Sequence, residues 1–282
     1  MLLLLPIVAV AQGPEPKSNF TPFEMWKTAV KTNDAPKLKL MYSNDPQVVV
    51  KTAQGETKGP EQELVFWPAN PNSGRQGIDF ELGKTETLPD GTEHIQFQTE
   101  FRVRFENGVR SWFVRGEQFW QKMKDGSWRI VATKRSTVYR LRQPMNLDGV
   151  IYQQNANAME DISAAVSQAS NSHKRILLDF GGNWCHDCHV LDLAFQLPEI
   201  EPVVKANYIV VHVDVGEYTK NLDLAEKYRI PLKSGVPAMA VLDSNGKLLF
   251  SQENKEFENA RSLAPEDILA FLNKWKPQTS KQ

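Results

Sequence analysis

The residues best suited to chemistry in this chain are Cys185 and Cys188, the only cysteines among its 282 residues. They are separated by His186 and Asp187 and follow closely on the apolar run at residues 176–180. A Cys-x-x-Cys pair between a strand and a helix indicates thiol–disulfide chemistry. A bridge that closes so short a loop constrains the unfolded chain very little, so a purely structural disulfide explains the pair poorly.

Metal binding is an alternative chemistry for this segment. Cys185, His186, Cys188 and His189 are four potential ligands within five residues. A single helical turn cannot easily arrange four ligands tetrahedrally around zinc, and the sequence has no second Cys pair to complete a site. We therefore predict no metal site, and no cofactor other than the redox-active disulfide. A binding or interaction protein built on a redox scaffold is a further alternative, but such a scaffold would need neither cysteine.

The segments around the cysteines alternate between helical and strand patterns. Apolar residues at helical spacing occur at 156–170, 222–228 and 265–275. The run at 208–215 is continuously apolar, which is typical of a strand in a sheet covered on both faces. The predicted order through this half is α, β, α, β, α, β, β, α, with the cysteines between the first strand and the second helix.

Over residues 150–277 the chain closely resembles the thioredoxin family. Trp-Cys-His-Asp-Cys at residues 184–188 stands where the family has Trp-Cys-x-x-Cys. Asp179 lies six residues before the first cysteine, where the family has a buried carboxylate. Gly-Val-Pro at residues 235–237 precedes the third apolar strand, where the family has its cis-proline. The resemblance implies an α/β thioredoxin fold and a thiol–disulfide oxidoreductase.

The resemblance also implies catalytic roles. Cys185 is expected to stay exposed at a helix N-terminus, where free N–H groups and the helix dipole favour the thiolate that attacks. Cys188, one turn further and more buried, is expected to resolve the mixed disulfide. Asp179, buried beneath the pair, is expected to take the proton from Cys188.

Five other residues are predicted to bind substrate or tune the site. Val236 and Pro237 would present a backbone edge to an extended substrate segment, and Trp184 would form a recognition surface beside Cys185. A protonated His186 would stabilise the Cys185 thiolate, whereas an ionised Asp187 would oppose it. The sequence therefore leaves the direction of the reaction open, as reductant or as oxidant and isomerase.

The sequence also departs from the family near the buried carboxylate. The family often keeps a basic residue there, but the strand position expected to supply it is Val210. A basic neighbour for Asp179 is therefore not evident from the sequence.

The N-terminal half has short helical segments followed by long runs of alternating polarity. Turn dipeptides divide these runs into a predicted four-stranded antiparallel meander at residues 78–87, 92–105, 109–123 and 127–141. This pattern, most closely over residues 119–131, resembles the cone-shaped α+β fold of the nuclear-transport-factor-like superfamily, which includes SnoaL-type cyclases. The fold prediction for the chain is this α+β domain followed by the α/β thioredoxin fold.

No convincing acid–base pair occurs in the N-terminal domain. His94 lies on the polar face of its strand and is predicted to be solvated. Arg115, Glu117 and Asp79 could line a cone, but structural salt bridges explain them equally well. We therefore predict a binding or dimerisation role for this domain, since pockets of this size recur as ligand sites.

The first eleven residues, MLLLLPIVAVA, form an apolar run that ends in an A-x-A pattern, which is typical of a signal peptide. The predicted organisation is a signal peptide at 1–11, a linker at 12–19, the N-terminal domain at 20–142, a linker at 143–149, the thioredoxin-like domain at 150–277 and a tail at 278–282.

Export would place the protein in the periplasm or another extracytoplasmic compartment, where disulfides form. The formal net charge of −1 gives no indication of a nucleic-acid partner, and no apolar run reaches the length of a membrane span. The predicted function is a thiol–disulfide oxidoreductase of the bacterial cell envelope. Its predicted partners are protein thiols and disulfides, a membrane thiol-electron donor, and a second copy of the chain through the N-terminal domain.

Overall fold

The computed structural model describes residues 20–68, 75–105 and 108–278. The predicted signal peptide and first linker lie outside these residues, as does the predicted tail beyond residue 278. The chain divides into two compact units between Tyr139 and Arg140. Within the described ranges, no helix combines the length and the apolar character needed to cross a membrane.

The first unit begins with helices and continues as a sheet. Its helices are α1 (Thr21–Lys31), α2 (Ala35–Met41) and α3 (Glu61–Phe66). Its strands are β1 (Val49–Thr52), β2 (Gly55–Lys58), β3 (Arg75–Thr87), β4 (Glu93–Phe105), β5 (Gly108–Lys122) and β6 (Trp128–Arg135).

These strands form one sheet in the order β2-β1-β6-β5-β4-β3. The predicted antiparallel meander is confirmed as β3 to β6. The sheet continues beyond it, because β1 pairs in parallel with β6 and β2 folds back on β1. The last meander strand ends at Arg135, earlier than predicted, and Tyr139 then forms an isolated bridge with Phe113. This is the predicted α+β architecture of the nuclear-transport-factor-like type.

Aromatic side chains fill the core of the first unit. The indole of Trp26 contacts Trp67, Phe80 and Phe97, with ring centroids 5.0 to 5.5 Å apart. Phe97 belongs to the inward-facing residues of β4, which alternate with polar ones as a half-buried strand requires. The core therefore lies between the helices and one face of the sheet.

An acidic side chain is buried in this aromatic core. Glu63 of α3 is fully buried. Trp67 Nε1 donates to Glu63 Oε2 (2.6 Å), and Arg135 Nε donates to Oε1 (2.8 Å). Both carboxylate oxygens are paired, as a buried charge requires.

His94 is not solvated, so that expectation was wrong. Its imidazole stacks on Phe119, which is directly opposite on β5, with ring centroids 4.3 Å apart. Its two nitrogens lie 2.9 Å from Glu117 Oε2 and 3.2 Å from Glu86 Oε1. The alternating pattern identified the polar face of β4, but only the pairing with neighbouring strands shows what covers a residue on that face.

The second unit surrounds a sheet of its own. Its helices are α4 (Ala158–Ser172), α5 (His186–Phe195), α6 (Glu201–Asn207), α7 (Leu222–Lys227) and α8 (Pro265–Trp275). Its strands are β7 (Arg175–Gly181), β8 (Tyr208–Asp214), β9 (Ala238–Leu242) and β10 (Leu248–Ser251). The sheet order is β10-β9-β7-β8, with β7 and β8 parallel and the other pairs antiparallel.

Helices cover both faces of this sheet. Leu178 and Phe180 of β7 pack in a cluster with residues of α4 and α7, whereas Leu177 packs in a second cluster with residues of α5 and α8. Burial on both faces explains why these strands are continuously apolar. The C-terminal end of the central strand β7 leads directly to the cysteines, and this is the predicted α/β thioredoxin fold.

Candidate active site

Cys185 caps the N-terminus of α5. Its Sγ accepts a hydrogen bond from the backbone N–H of Cys188 (3.1 Å), and the two sulfurs are bonded to each other. The first N–H groups of a helix have no partner within the helix, so a sulfur at this position receives both the bond and the positive end of the helix dipole. This geometry favours a thiolate on Cys185 when the disulfide opens.

The backbone of Val236 lies against the attacking sulfur. Cys185 Sγ is 3.4 Å from the carbonyl oxygen of Val236, and the Val236–Pro237 peptide bond is cis. These residues come from the segment before β9, so the fold brings the predicted substrate edge to the cysteines. Cys185 itself is only 5% exposed, less than expected for an exposed nucleophile.

An aromatic surface lies beside the disulfide. Trp184 is 44% exposed and its indole N–H donates to the carbonyl oxygen of Gly216 (2.7 Å). The ring of Tyr218, 41% exposed, is 5.5 Å from that of Trp184. Exposed aromatic rings next to a reactive group are suited to contact a partner chain.

The two residues between the cysteines are engaged by groups distant in sequence. His186 Nε2 lies 2.6 Å from Gln143 Oε1, and burial together with the charge of Arg261 lowers the pKa of the imidazole. Asp187 is buried and accepts from the backbone N–H and the Nε of Arg261, both at 2.9 Å. His186 is therefore less charged at neutral pH than free histidine, and Arg261 offsets the charge of Asp187. The opposing effects of His186 and Asp187 on the Cys185 thiolate, which were expected from the sequence, are therefore both reduced.

Asp179 lies fully buried on β7, below the cysteines. Its Oδ2 accepts from the Tyr152 hydroxyl (2.8 Å) and lies 3.0 Å from His212 Nδ1. Its Oδ1 is buried and has no hydrogen-bond partner in the described part of the chain. The basic neighbour that is not evident from the sequence is His212, because the parallel register pairs Asp179 with His212 and Leu177 with Val210.

Tyr152 reaches this carboxylate from a loop fastened to the active-site turn. The Asn183 side-chain oxygen accepts from the backbone N–H groups of Ile151 and Tyr152, and its amide donates to the Tyr152 carbonyl. At Gly181, a Cβ would collide with the Tyr152 hydroxyl and stand 2.8 Å from Cys188 Sγ. The Tyr152 hydroxyl and Cys188 Sγ therefore leave no room for a side chain at position 181.

Sequence reasoning missed Tyr152, His212 and Arg261. Their partners lie 27, 33 and 74 residues away in the chain. His212 is a polar residue inside the run that the sequence pattern presented as continuously apolar, and it was the available signal. Of the four residues considered as alternative metal ligands, His189 has its Nε2 2.8 Å from the Asn183 carbonyl oxygen. Within the described residues, no three or more His, Cys, Asp or Glu are arranged to hold a metal.

Comparison with known proteins finds a family match within the second unit. Residues 157–244 match the model of a thioredoxin-like family. A disulphide isomerase from Xylella fastidiosa Temecula1 is 32% identical, with 46% of this chain and 98% of that chain covered and a TM-score of 0.42. No curated protein matches the chain. The chain belongs to the thioredoxin-like family through its second unit.

Other solved structures are similar to the first unit. A ketosteroid isomerase-like protein from Erwinia carotovora atroseptica is 13% identical, covers 41% of this chain and 90% of its own, and has a TM-score of 0.33. An NTF-2 like protein of unknown function from Shewanella oneidensis is 12% identical, covers 41% of this chain and 93% of its own, and has a TM-score of 0.33.

Proposed function

We propose that the protein is a thiol–disulfide oxidoreductase that exchanges disulfides through Cys185 and Cys188. The observation that carries this proposal is the position of the bonded pair at the N-terminus of α5, with Cys185 Sγ accepting the N–H of Cys188 beside the Val236 carbonyl. A purely structural disulfide would need neither the capping contact nor an adjacent backbone edge.

The reaction proceeds by two displacements. The Cys185 thiolate attacks a substrate disulfide, forms the mixed disulfide and releases one substrate thiolate. Cys188 gives its proton to the Asp179 carboxylate, and its thiolate attacks Cys185 Sγ. The bond between Cys185 and the substrate breaks, and the second substrate sulfur leaves with that electron pair. The enzyme ends oxidised and the substrate reduced; the reverse sequence oxidises a dithiol.

The same geometry supports the substrate class that we propose. An extended segment of a partner chain can place its sulfur beside the Val236 backbone while its neighbours contact Trp184 and Tyr218. We propose protein thiols and disulfides as substrates, an extracytoplasmic location such as the periplasm, and a membrane thiol-electron donor that restores the dithiol. The N-terminal domain would bind a ligand or a second copy of the chain.

The test is turnover of a model protein disulfide. Purified protein should reduce insulin with dithiothreitol as the electron source and exchange with glutathione. Cys185→Ser should abolish both, whereas Cys188→Ser should accumulate the mixed disulfide, detected by mass spectrometry. A wild-type protein with no activity toward any of these disulfides would refute the proposal. If the protein is active, the reduction potential of the Cys185–Cys188 pair, measured against glutathione, gives the direction of the reaction.

A further inference from the structure

A cavity of about 590 Å³ in the first unit has two arginines in its wall. Arg75 is the first residue of β3 and Arg135 is the last residue of β6, although β4 and β5 lie between these two strands in the sheet. Helix α3 supplies the rest of the described wall with Glu61, Gln62, Val65 and Phe66. The volume is typical of small-molecule sites in proteins.

Aromatic rings hold both guanidinium groups in place. The guanidinium of Arg75 lies 4.2 Å from the ring centroid of Phe101, and that of Arg135 lies 3.9 Å from the ring centroid of Phe66. A guanidinium that stacks on a ring keeps its N–H groups in its own plane, where they can meet an acceptor from the side. The rings therefore orient both cations without using their hydrogen-bond donors.

Hydrogen bonds within the protein fix the two arginines further. Arg135 Nε donates to the buried carboxylate of Glu63, and Arg75 Nη1 donates to the carbonyl oxygen of Trp67, both at 2.8 Å. The bond to Glu63 uses Nε alone, so that carboxylate does not engage the edge formed by the two terminal nitrogens of Arg135. The Arg135 side chain is only 13% exposed, and burial lowers the pKa of the Arg75 guanidinium. Two arginines are thus partly removed from water while they keep their charge.

The charges around the cavity favour an anion with a single charge. Glu63 offsets the charge of Arg135. The exposed Glu61 also lines the cavity, and its carboxylate lies against Gly59. A group with two negative charges, such as phosphate, would be repelled by Glu61 more strongly than a carboxylate would. The planar guanidinium donors also match the two oxygens of a carboxylate.

The remaining wall can contact an apolar group. Val65 is 83% exposed on α3, next to the ring of Phe66 that supports Arg135. A ligand with an apolar body would remove part of this surface from water, which is favourable. The cavity therefore combines oriented cations with an apolar side.

We propose that this cavity binds a small monocarboxylate with an apolar body. Arg75 and Arg135 hold the carboxylate, and Val65 contacts the apolar part. Because the donors are already oriented, binding requires little ordering of the protein. This proposal rests on the binding role proposed above for the N-terminal domain and on no step of the thiol–disulfide reaction.

The experiment titrates the full-length protein with octanoate, and saturation-transfer NMR of the ligand reports binding. The matched probes are 1-octanol, which lacks the charge, and octyl phosphate, which can carry two charges. Octanoate should bind more tightly than either probe. No octanoate binding at millimolar concentration, or tighter binding of octyl phosphate, would overturn the proposal.

Substitutions in the wall should separate the two parts of the ligand. Arg75→Met should weaken octanoate binding about tenfold and leave 1-octanol binding unchanged, because only the carboxylate loses a charged donor. Arg75→Lys should give an intermediate loss, since it keeps the charge without the planar fork. Glu61→Gln should strengthen octanoate binding about twofold. Arg104→Met, at an exposed arginine of the same unit outside the cavity wall, should change neither ligand. Unchanged octanoate binding in Arg75→Met would contradict the proposed site.

A second readout uses the wild-type protein and does not depend on the folding of a variant. Phenylglyoxal modifies accessible arginines, and mass spectrometry of the peptides locates the modified residues. Octanoate should slow the modification of Arg75 and leave that of Arg104 unchanged. Equal rates at Arg75 with and without octanoate would overturn the proposal while insulin turnover stood. A protein that binds octanoate as expected but lacks activity with insulin and glutathione would refute the proposed oxidoreductase and leave this site intact.

Discussion

Two carboxylates, one in each unit, are fully buried but differ in how their oxygens are paired. Glu63 in the first unit has a partner for each oxygen, and one of these partners is an arginine that stays charged at every accessible pH. Asp179 in the second unit has both donors on one oxygen, and its other oxygen has no partner in the described residues. The fully paired group suits a structural role, whereas the half-paired group keeps one oxygen available to a further donor.

Burial alone does not distinguish a structural carboxylate from a reactive one. Both residues would be counted as costly buried charges, and both are compensated by hydrogen bonds. Only Asp179 combines an oxygen without a partner in the described residues with a neighbour, His212, that lines a cavity, and this combination indicates chemistry. Substitutions at the two sites should therefore have opposite consequences for stability and for reaction rate.

The largest expected effect on stability is at Glu63. Glu63→Gln leaves the partly buried Arg135 without its anion, which should lower the free energy of unfolding by about 3–5 kcal/mol. Urea unfolding followed by tryptophan fluorescence measures this change. The exposed neighbour Glu61 gives the matched control, Glu61→Gln, which should be near neutral. Insulin reduction per folded molecule should stay at the wild-type level, and a loss there would contradict the assignment of Glu63 to structure alone.

At Asp179 the opposite pattern is expected. Asp179→Asn should slow the resolving step about 100-fold, because the amide cannot accept the Cys188 proton. Its effect on the free energy of unfolding should stay within about 1 kcal/mol, since a buried charge with an unpaired oxygen is removed. The two values come from urea unfolding and from Ellman's reagent, whose second aromatic thiolate is released when Cys188 resolves the mixed disulfide, with Asp161→Asn on exposed α4 as control. An Asp179→Asn variant that is as destabilised as Glu63→Gln and resolves at the wild-type rate would contradict the proposed difference between the two carboxylates.

Glu258 provides an intermediate case with a smaller effect. It is partly buried beside Gly235, its Oε2 has no partner in the described residues, and burial raises its pKa to about 7. Because the folded state holds this proton more tightly than the unfolded chain, the contribution of Glu258 to stability is full below the pKa of an unfolded glutamate. It is lost as the pH rises through about 7.

Replacing Glu258 should remove this pH dependence. At pH 8 the free energy of unfolding of Glu258→Gln should exceed that of the wild type by about 1 kcal/mol, a value reduced because the side chain is partly exposed. At pH 4 the two free energies should be equal. Urea unfolding at the two pH values measures the difference, and Glu253→Gln, on an exposed glutamate nearby, should behave as wild type. An equal stability gain at pH 4 and pH 8 would show that proton uptake by Glu258 is not involved.

Much of the fold could be predicted because its signals are local. The alternating residues of β4 and the continuous apolar run of β8 each indicated the right element, with the right kind of burial. Strand β2 was harder to predict, because it is short and fully exposed, and so was the pairing of β1, which joins the sheet through a distant partner, β6. Strand pairing over such a separation leaves no local pattern.

The sequence by itself determined that Cys185 and Cys188 follow a buried strand at the start of a helix, and that Asp179 precedes them on that strand. Spacing along one chain segment is enough for this, because strand and helix geometry are set locally. Only the tertiary structure decided which groups surround them: His212 through the register of β7 and β8, Tyr152 through the loop held by Asn183, and Arg261 against Asp187. These contacts depend on how distant segments pack, and they set the charge state of the site.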